Sequence, residues 1–237
     1  MSHHYIKFTD VCYTYPSGYK ALDGVSFTIQ HGEKVALIGL NGAGKSTLLL
    51  LTNGLLLPDS GEVNIGDVPV SKKTLKLVRQ SVGMVFQNPD DQLFMPTVGD
   101  DVAFGPINMG LPEQEINRRV DSALMAVGCH DLCGRSPMQL SGGQKRSVAI
   151  ATVLSMEPSV LVMDEPTSNL DLRARRHVID ILKEFSHTLL VATHDIEMIK
   201  EVCPRTLLMK DGRIVGDGNT DEILNDRYLM ADAGMIG

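Results

Sequence analysis

Gly39-Leu-Asn-Gly-Ala-Gly-Lys-Ser-Thr47 fits G-x-x-x-x-G-K-[ST], and the apolar runs on either side, Val35-Ala-Leu-Ile38 and Leu48-Leu-Leu-Leu51, predict a strand, then the loop, then a helix. That setting cradles phosphate. Glycines 39, 42 and 44 let the backbone reach positive φ and bring its N–H groups close to an anion at the positive end of the helix. In such a loop Lys45 reaches the β/γ-phosphates and Ser46 ligates Mg²⁺. The expected nucleotide contacts are Gly39, Asn41, Gly42, Ala43, Gly44, Lys45, Ser46 and Thr47.

Outward from this loop, no linker-like or low-complexity run divides the 237 residues, so one compact unit with subdomains is expected. The balance of 22 basic and 29 acidic side chains, a net charge of −7, opposes a surface that holds nucleic acid by bulk electrostatics. No apolar stretch approaches the roughly 20 residues of a membrane helix. The polar start Met1-Ser-His-His4 does not read as a signal peptide, and its histidine pair is either natural or added. A soluble chain that reaches a membrane only through a partner is the expectation. Cys129-His130-x-x-Cys133 has too few ligands nearby for a structural zinc site, so ordinary thiols are expected there.

Before the loop, Tyr5 to Tyr15 and Val25 to Gln30 alternate apolar and polar side chains around the turn Pro16-Ser-Gly18, which predicts an antiparallel β layer. Glu62-Val-Asn-Ile65 is expected to join it. Val82-Gly-Met-Val-Phe86 reads as a short buried strand ending in Gln87, a position from which a polar group reaches a ligand at the sheet's carboxyl edge. From Asn88 turn residues frame the trio Leu93-Phe94-Met95, either satellite core or a patch awaiting a partner. Val98 to Phe104 and Glu113 to Val127 then carry helical periodicity.

Leu140-Ser-Gly-Gly-Gln144 opens a further helix from Lys145 to Met156, with Ser141 as N-cap and glycines 142 and 143 leaving N–H groups open. Val160-Leu-Val-Met163 reads as a parallel strand buried on both faces, and it delivers Asp164 and Glu165 to its carboxyl end. Asp164 suits the metal carboxylate; Glu165 is then free to orient or deprotonate water. Thr188 to Thr193 is another apolar strand, ending in His194-Asp195. Val202 to Met209 and Arg213 to Val215 predict a closing hairpin, with one or two helices from Asp221 to Ala233.

The order of these parts resembles the ATP-binding cassette ATPases of ABC transporters, from about Tyr5 to Gly218. The pair Leu140-Ser-Gly-Gly-Gln144 and Val160-Leu-Val-Met-Asp-Glu165 carries the resemblance. It implies an α/β phosphate-loop NTPase core with an antiparallel β subdomain, both within about 1–87 and 157–218. An inserted α-helical subdomain would span about 88–156, and a short helical tail 219–237. It further implies ATP and Mg²⁺ as ligands, with Tyr15 stacking on adenine and Tyr13 as the fallback. Gln87 would sense Mg²⁺ and water, Glu165 would be the catalytic glutamate and His194 the γ-phosphate switch. Ser168-Asn-Leu-Asp171 matches a loop that crosses the dimer interface, although a residue smaller than Asn169 is commoner there. Ser141, Gly142, Gly143 and Gln144 would hold the ATP of a second subunit, another copy of this chain or a paralogue.

Val85-Phe-Gln-Asn-Pro-Asp-Asp-Gln-Leu-Phe94 with Asp101-Val-Ala-Phe-Gly-Pro106 is similar to the energy-coupling-factor group, which imports cobalt, nickel or vitamins. The resemblance implies a transmembrane coupling protein against Gln87 to Met95, a separate membrane protein that captures cargo, and a peripheral place on the cytoplasmic face of the membrane. Ser147 stands where a second basic residue is more usual, with little functional cost expected. The short stretch after Gly218 favours a cobalt or nickel homodimer over the vitamin type. A soluble ABC-type ATPase of DNA repair is the reading from another class, opposed by the acidic composition and the absence of a heptad array or basic extension.

Overall fold

The computed structural model describes residues 5–235, so the His3-His4 pair lies outside the described residues. The amino-terminal part forms β1 (Ile6–Thr14), β2 (Lys20–Ile29), β3 (Lys34–Ile38), α1 (Lys45–Thr52), β4 (Ser60–Ile65), β5 (Val68–Pro69), α2 (Leu75–Ser81) and β6 (Val82–Val85). A helical block follows, with α3 (Val98–Asn108), α4 (Glu113–Ala126) and α5 (Gly142–Leu154). The chain then returns through β7 (Val160–Asp164), α6 (Leu172–Glu184), β8 (Thr188–Ala192), α7 (Ile196–Val202), β9 (Arg205–Lys210) and β10 (Arg213–Asn219) to α8 (Thr220–Asn225) and α9 (Arg227–Asp232).

Two sheets result. The antiparallel one has the order β2-β1-β4-β5, which seats Glu62 to Ile65 in the layer expected from the sequence. The larger has the order β10-β9-β3-β8-β7-β6, parallel throughout except for the β9–β10 hairpin. Its central strands β3, β7 and β8 are apolar except at one end residue each, Lys34, Asp164 and Thr188, because both faces are covered, and the period of two sorts their side chains between two cores. Val35, Leu37, Val160, Val162 and Leu190 face the antiparallel sheet and α1. Ala36, Ile38, Leu161, Met163 and Val191 face the other way, onto the core shared with the helical block.

The sequence reading differs from the structure at the closing hairpin. Val202 ends α7 and the strand begins at Arg205, because Cys203-Pro204 interrupts what reads as one apolar run and Pro removes a backbone donor. β10 runs on to Asn219, well beyond the expected Val215.

The edge strand β6, which carries the chain into Gln87, fits tightly against the helical block. A Cβ built on Gly83 would lie 2.1 Å from Val153 Cγ1 and 3.0 Å from Pro158 Cγ. Gly83→Ala is therefore expected to overpack this contact and destabilise the fold by about 1–3 kcal/mol. A lowered denaturant midpoint with unchanged slope would record it.

Candidate functional site

The carboxyl ends of β3, β7 and β8 meet the start of α1 at a cleft of ≈ 680 Å³. Ligands of open α/β sheets bind at this edge. Gly44 is the N-cap of α1, with φ of 105° and no side-chain cap, so the first helical N–H groups are left for a ligand. Only glycine fits there: a Cβ would lie 2.5 Å from the Ala21 carbonyl. Lys45 is 7% exposed and donates to the carbonyls of Gly39 at 2.7 Å and Leu40 at 3.1 Å. Burial lowers its pKa, and the carboxylates of Glu165 and Asp164 act against that shift.

The structure brings Asn41, Gly42, Gly44, Lys45, Ser46 and Thr47 to the cleft, opposite Gln87, Asp164, Glu165 and His194. The Ser46 hydroxyl donates to Asp164 Oδ2 at 2.6 Å, across 118 positions of sequence. A hydroxyl, a carboxylate and the Gln87 amide are hard oxygen donors of the kind Mg²⁺ selects, so these residues fit that ion. Among the described residues no group of three or more His, Cys, Asp or Glu side chains is placed to hold a metal, the Cys129-Cys133 pair included.

Glu165 stands just past β7 with φ of +47°, a left-handed conformation that is costly for a residue with a Cβ. Its carbonyl accepts from the Ser168 N–H at 3.2 Å and the Ser168 hydroxyl at 2.9 Å, and three further bonds hold it there. Its N–H donates to the Ala192 carbonyl at 2.8 Å, and its Oε2 accepts from the Thr193 hydroxyl at 3.2 Å and the His194 N–H at 3.3 Å. Oε1 is buried without a hydrogen-bond partner in the described residues; His194 Nε2 lies 3.3 Å away but is not aligned for one. An oriented carboxylate that lines the phosphate cleft, with one oxygen making no hydrogen bond among the described residues, has the chemistry to take a proton from water.

Gln87 is fixed from behind. Arg146, 2% exposed, donates to the carbonyls of Phe86 and Gln87. Gln92 accepts from the Phe86 N–H and donates to the Ala149 carbonyl and the Thr152 hydroxyl of α5. The sequence assigns neither Arg146 nor Gln92 a role of its own, because their partners are mostly backbone groups, several of them about 60 positions away. Asp195 is a second hub. It accepts from Arg175 through both oxygens, from the Thr167 hydroxyl at 2.8 Å, and from the Met198 N–H as the N-cap of α7. Burial raises its pKa, but the bonds to Arg175, Met198 and Thr167 outweigh this and hold it below the ordinary carboxylate range.

Some expected residues stand apart from the cleft. Ser141 and Gln144 close a reciprocal capping box at the start of α5, which leaves the N–H groups of Gly142 and Gly143 unused by any side chain. Ser141, Gly143 and Gln144 border a different hollow, and a Cβ on Gly142 would meet nothing within 4 Å. Tyr15 is half-buried, with its hydroxyl 3.0 Å from Thr47 Oγ1. Tyr19, which the sequence reading passed over, borders the cleft and donates to the Gly42 carbonyl at 2.6 Å. Asn169 has φ of +59°, a conformation Asn tolerates well, which accounts for asparagine where a smaller residue is commoner. In the trio after Gln92, Leu93 is core, whereas Phe94 is 63% exposed and packs edge-on to the exposed Phe104.

Residues 22–168 match the family model described as ABC transporter. The chain is 55% identical over 231 residues to a putative ABC transporter ATP-binding protein of Geobacter sulfurreducens, covering 98% of this chain and 93% of that one. It is 46% identical over 235 residues to the energy-coupling factor transporter ATP-binding protein EcfA of Methanothermobacter thermautotrophicus, covering 97% and 76%. Among solved structures it is similar to cbiO1 from Clostridium perfringens, part of the ABC transporter complex cbiONQ. The TM-score is 0.85 and the identity 40%, over 98% of this chain and 95% of that one. A dimeric ATP-binding cassette in a post-hydrolysis state, bound to ADP and Pi, matches with a TM-score of 0.82 and 29% identity over 91% and 98%.

Removing the Arg175 side chain leaves Asp195 without its bidentate partner, and Arg175→Ala is expected to cost about 1–3 kcal/mol at neutral pH. Because the folded pKa of Asp195 is depressed, its stabilisation is present above the ordinary carboxylate range and is lost as pH falls through the folded value. The gap between wild type and variant in denaturant midpoint should therefore narrow as the solution is acidified.

Proposed function

The chain belongs to the ABC transporter family, in its energy-coupling-factor group of ATP-binding subunits, and on that premise we propose that it is the ATP-hydrolysing motor of a cobalt or nickel importer. The observation that carries the chemistry is the cluster at the end of β7. There Ser46 and Asp164 are bonded to each other, and Glu165 keeps one buried oxygen unused at the edge of the same cleft.

In this reading the phosphate chain lies over the N–H groups of Gly42 to Thr47, and Lys45 faces the terminal phosphates. Ser46, Asp164 and Gln87 would hold Mg²⁺, which when bound would neutralise charge on the phosphates. Glu165 Oε1 takes the proton of a water whose oxygen bonds to the γ-phosphorus, while the bond from that phosphorus to the β–γ bridging oxygen breaks. The same carboxylate is tied to the His194 N–H, so His194 and Glu165 register the terminal phosphate together.

The cleft is half of a nucleotide site. Ser141, Gly142, Gly143 and Gln144 form an anion-facing helix start that does not border it, which supports pairing with a second copy of this chain. Each ATP would then lie between one copy's phosphate loop and the other's Ser141–Gly143 segment. The likeness to a cassette that is dimeric and bound to ADP and Pi supports pairing of two copies. No helix among the described residues is long and apolar enough to cross a membrane, so transport requires a membrane partner. The hollow bordered by Leu55, Phe86, Phe94, Phe104 and Met156 is apolar, lies beside the Arg146-anchored Gln87 strand end, and suits a transmembrane coupling protein. Peripheral attachment to the cytoplasmic face of the membrane follows from that contact.

The segment from Val85 to Pro106 supports the energy-coupling-factor placement, and the likeness to cbiO1 supports the cobalt or nickel assignment. It is tested by reconstituting the chain with its membrane partners in vesicles and measuring ATP-dependent uptake of labelled cobalt, nickel and vitamins. Metal uptake that disappears with Glu165→Gln, while that variant still binds ATP, is the expected outcome. Vitamin uptake alone would overturn the cargo assignment, and undiminished hydrolysis by Glu165→Gln would remove that residue from its role.

A further inference from the structure

The hairpin between β1 and β2 brings two tyrosines together beside the phosphate loop. The ladder pairs Thr14 with Lys20, and one step further out the Tyr15 N–H donates to the Tyr19 carbonyl at 2.8 Å. The loop closes through the Gly18 N–H and the Tyr15 carbonyl, also at 2.8 Å. Tyr15 and Tyr19 are thus a cross-strand pair, and side chains of such a pair lie on the same face. Their rings are nearly parallel, 19° apart, with centroids 6.5 Å from each other.

Each ring is held from a different end of the phosphate loop. The Tyr15 hydroxyl meets Thr47 Oγ1 at the start of α1, and the Tyr19 hydroxyl donates to the Gly42 carbonyl. Tyr13 packs edge-on to Tyr15 with centroids 5.0 Å apart, which fixes that ring's tilt. Tyr19 remains 52% exposed although its ring is anchored. Two stacking intervals of about 3.4 Å, the rise between bases in a nucleic-acid strand, need roughly 7 Å between flanking rings. The centroid separation of 6.5 Å is close to that value.

We infer that Tyr19 is the second face of a base clamp, in which the adenine of ATP is held between the rings of Tyr15 and Tyr19. The inference rests on the nucleotide-site reading above and adds a residue and a geometry to it. A base has two π faces, and each aromatic contact contributes independently of hydrogen-bond readout. The clamp also ties base binding to loop geometry, because both hydroxyls are anchored on the loop that receives the phosphates.

Calorimetric titration with ATP and with tripolyphosphate, which has the phosphates but no base, separates a stacking role from a loop-bracing one. Tyr19→Ala is expected to weaken ATP binding about tenfold, within the range for loss of one base–aromatic stack. Tyr19→Phe keeps the ring and should stay within about twofold of wild type, and tripolyphosphate affinity should be the same for all three proteins. Unchanged ATP affinity in Tyr19→Ala, or a loss shared equally by tripolyphosphate, would overturn the clamp. A wild-type chain that bound tripolyphosphate but not ATP would overturn the nucleotide-site reading itself.

Discussion

The bond between the Ser46 hydroxyl and Asp164 Oδ2 joins the first turn of α1 to the last residue of β7, and the nucleotide half of the molecule depends on it. It can form only because the sheet order leaves just β8 between β7 and β3, whose continuation is the phosphate loop. An apolar strand buried on both faces fixes its own register, since a slip of one residue would exchange the two cores. The register of β7 against β8, with Asp164 opposite Ala192, therefore determines where both acidic side chains emerge. Asp164 ends the strand facing Ser46. Glu165, turned into a left-handed conformation and bonded to the Ala192 carbonyl, presents its carboxylate beside His194.

A second set of constraints links that site to the helical block. Arg146 is charged and almost fully buried, a costly arrangement unless hydrogen bonds compensate, and its two carbonyl acceptors are those of Phe86 and Gln87. Movement of the Phe86–Gln87 backbone would break those bonds or carry α5 with it. Since α5 begins at Ser141-Gly142-Gly143, the cleft's Gln87 and the open helix start on the opposite part of the chain are mechanically connected. Asp195 performs a similar service between α6, which follows the Ser168–Asp171 loop, and α7, which follows His194. The account of a motor depends on such links, because ATP can shift an equilibrium only through contacts that differ between its states.

Much of this was legible in the sequence, for identifiable reasons. Strands buried on both faces read as continuous apolar runs, and position alone places the residues at their ends, Gln87, Asp164 and His194, at the cleft. Phosphate-loop residues and the Ser141 N-cap are legible because their chemistry is local. What escaped was tertiary. Arg175 is one of several arginines in a helix that the sequence reading did not single out, and its partnership with Asp195 exists only once β8 lies beside β7. Val202 was misread because an apolar run gives no sign of a helix ending and a strand beginning within it. Tyr19 was overlooked because an exposed tyrosine in a turn is ordinary until its hydroxyl is seen on the phosphate loop.

The central claim is that this chain's nucleotide site is completed by a second copy's Ser141–Gly143 segment. Sedimentation of Glu165→Gln with and without ATP, beside the same protein carrying Ser141→Arg in addition, tests it most directly. The account predicts an ATP-dependent dimer for Glu165→Gln alone, and a monomer that still binds ATP when Ser141→Arg is added. Equal dimerisation by both proteins in ATP would contradict it.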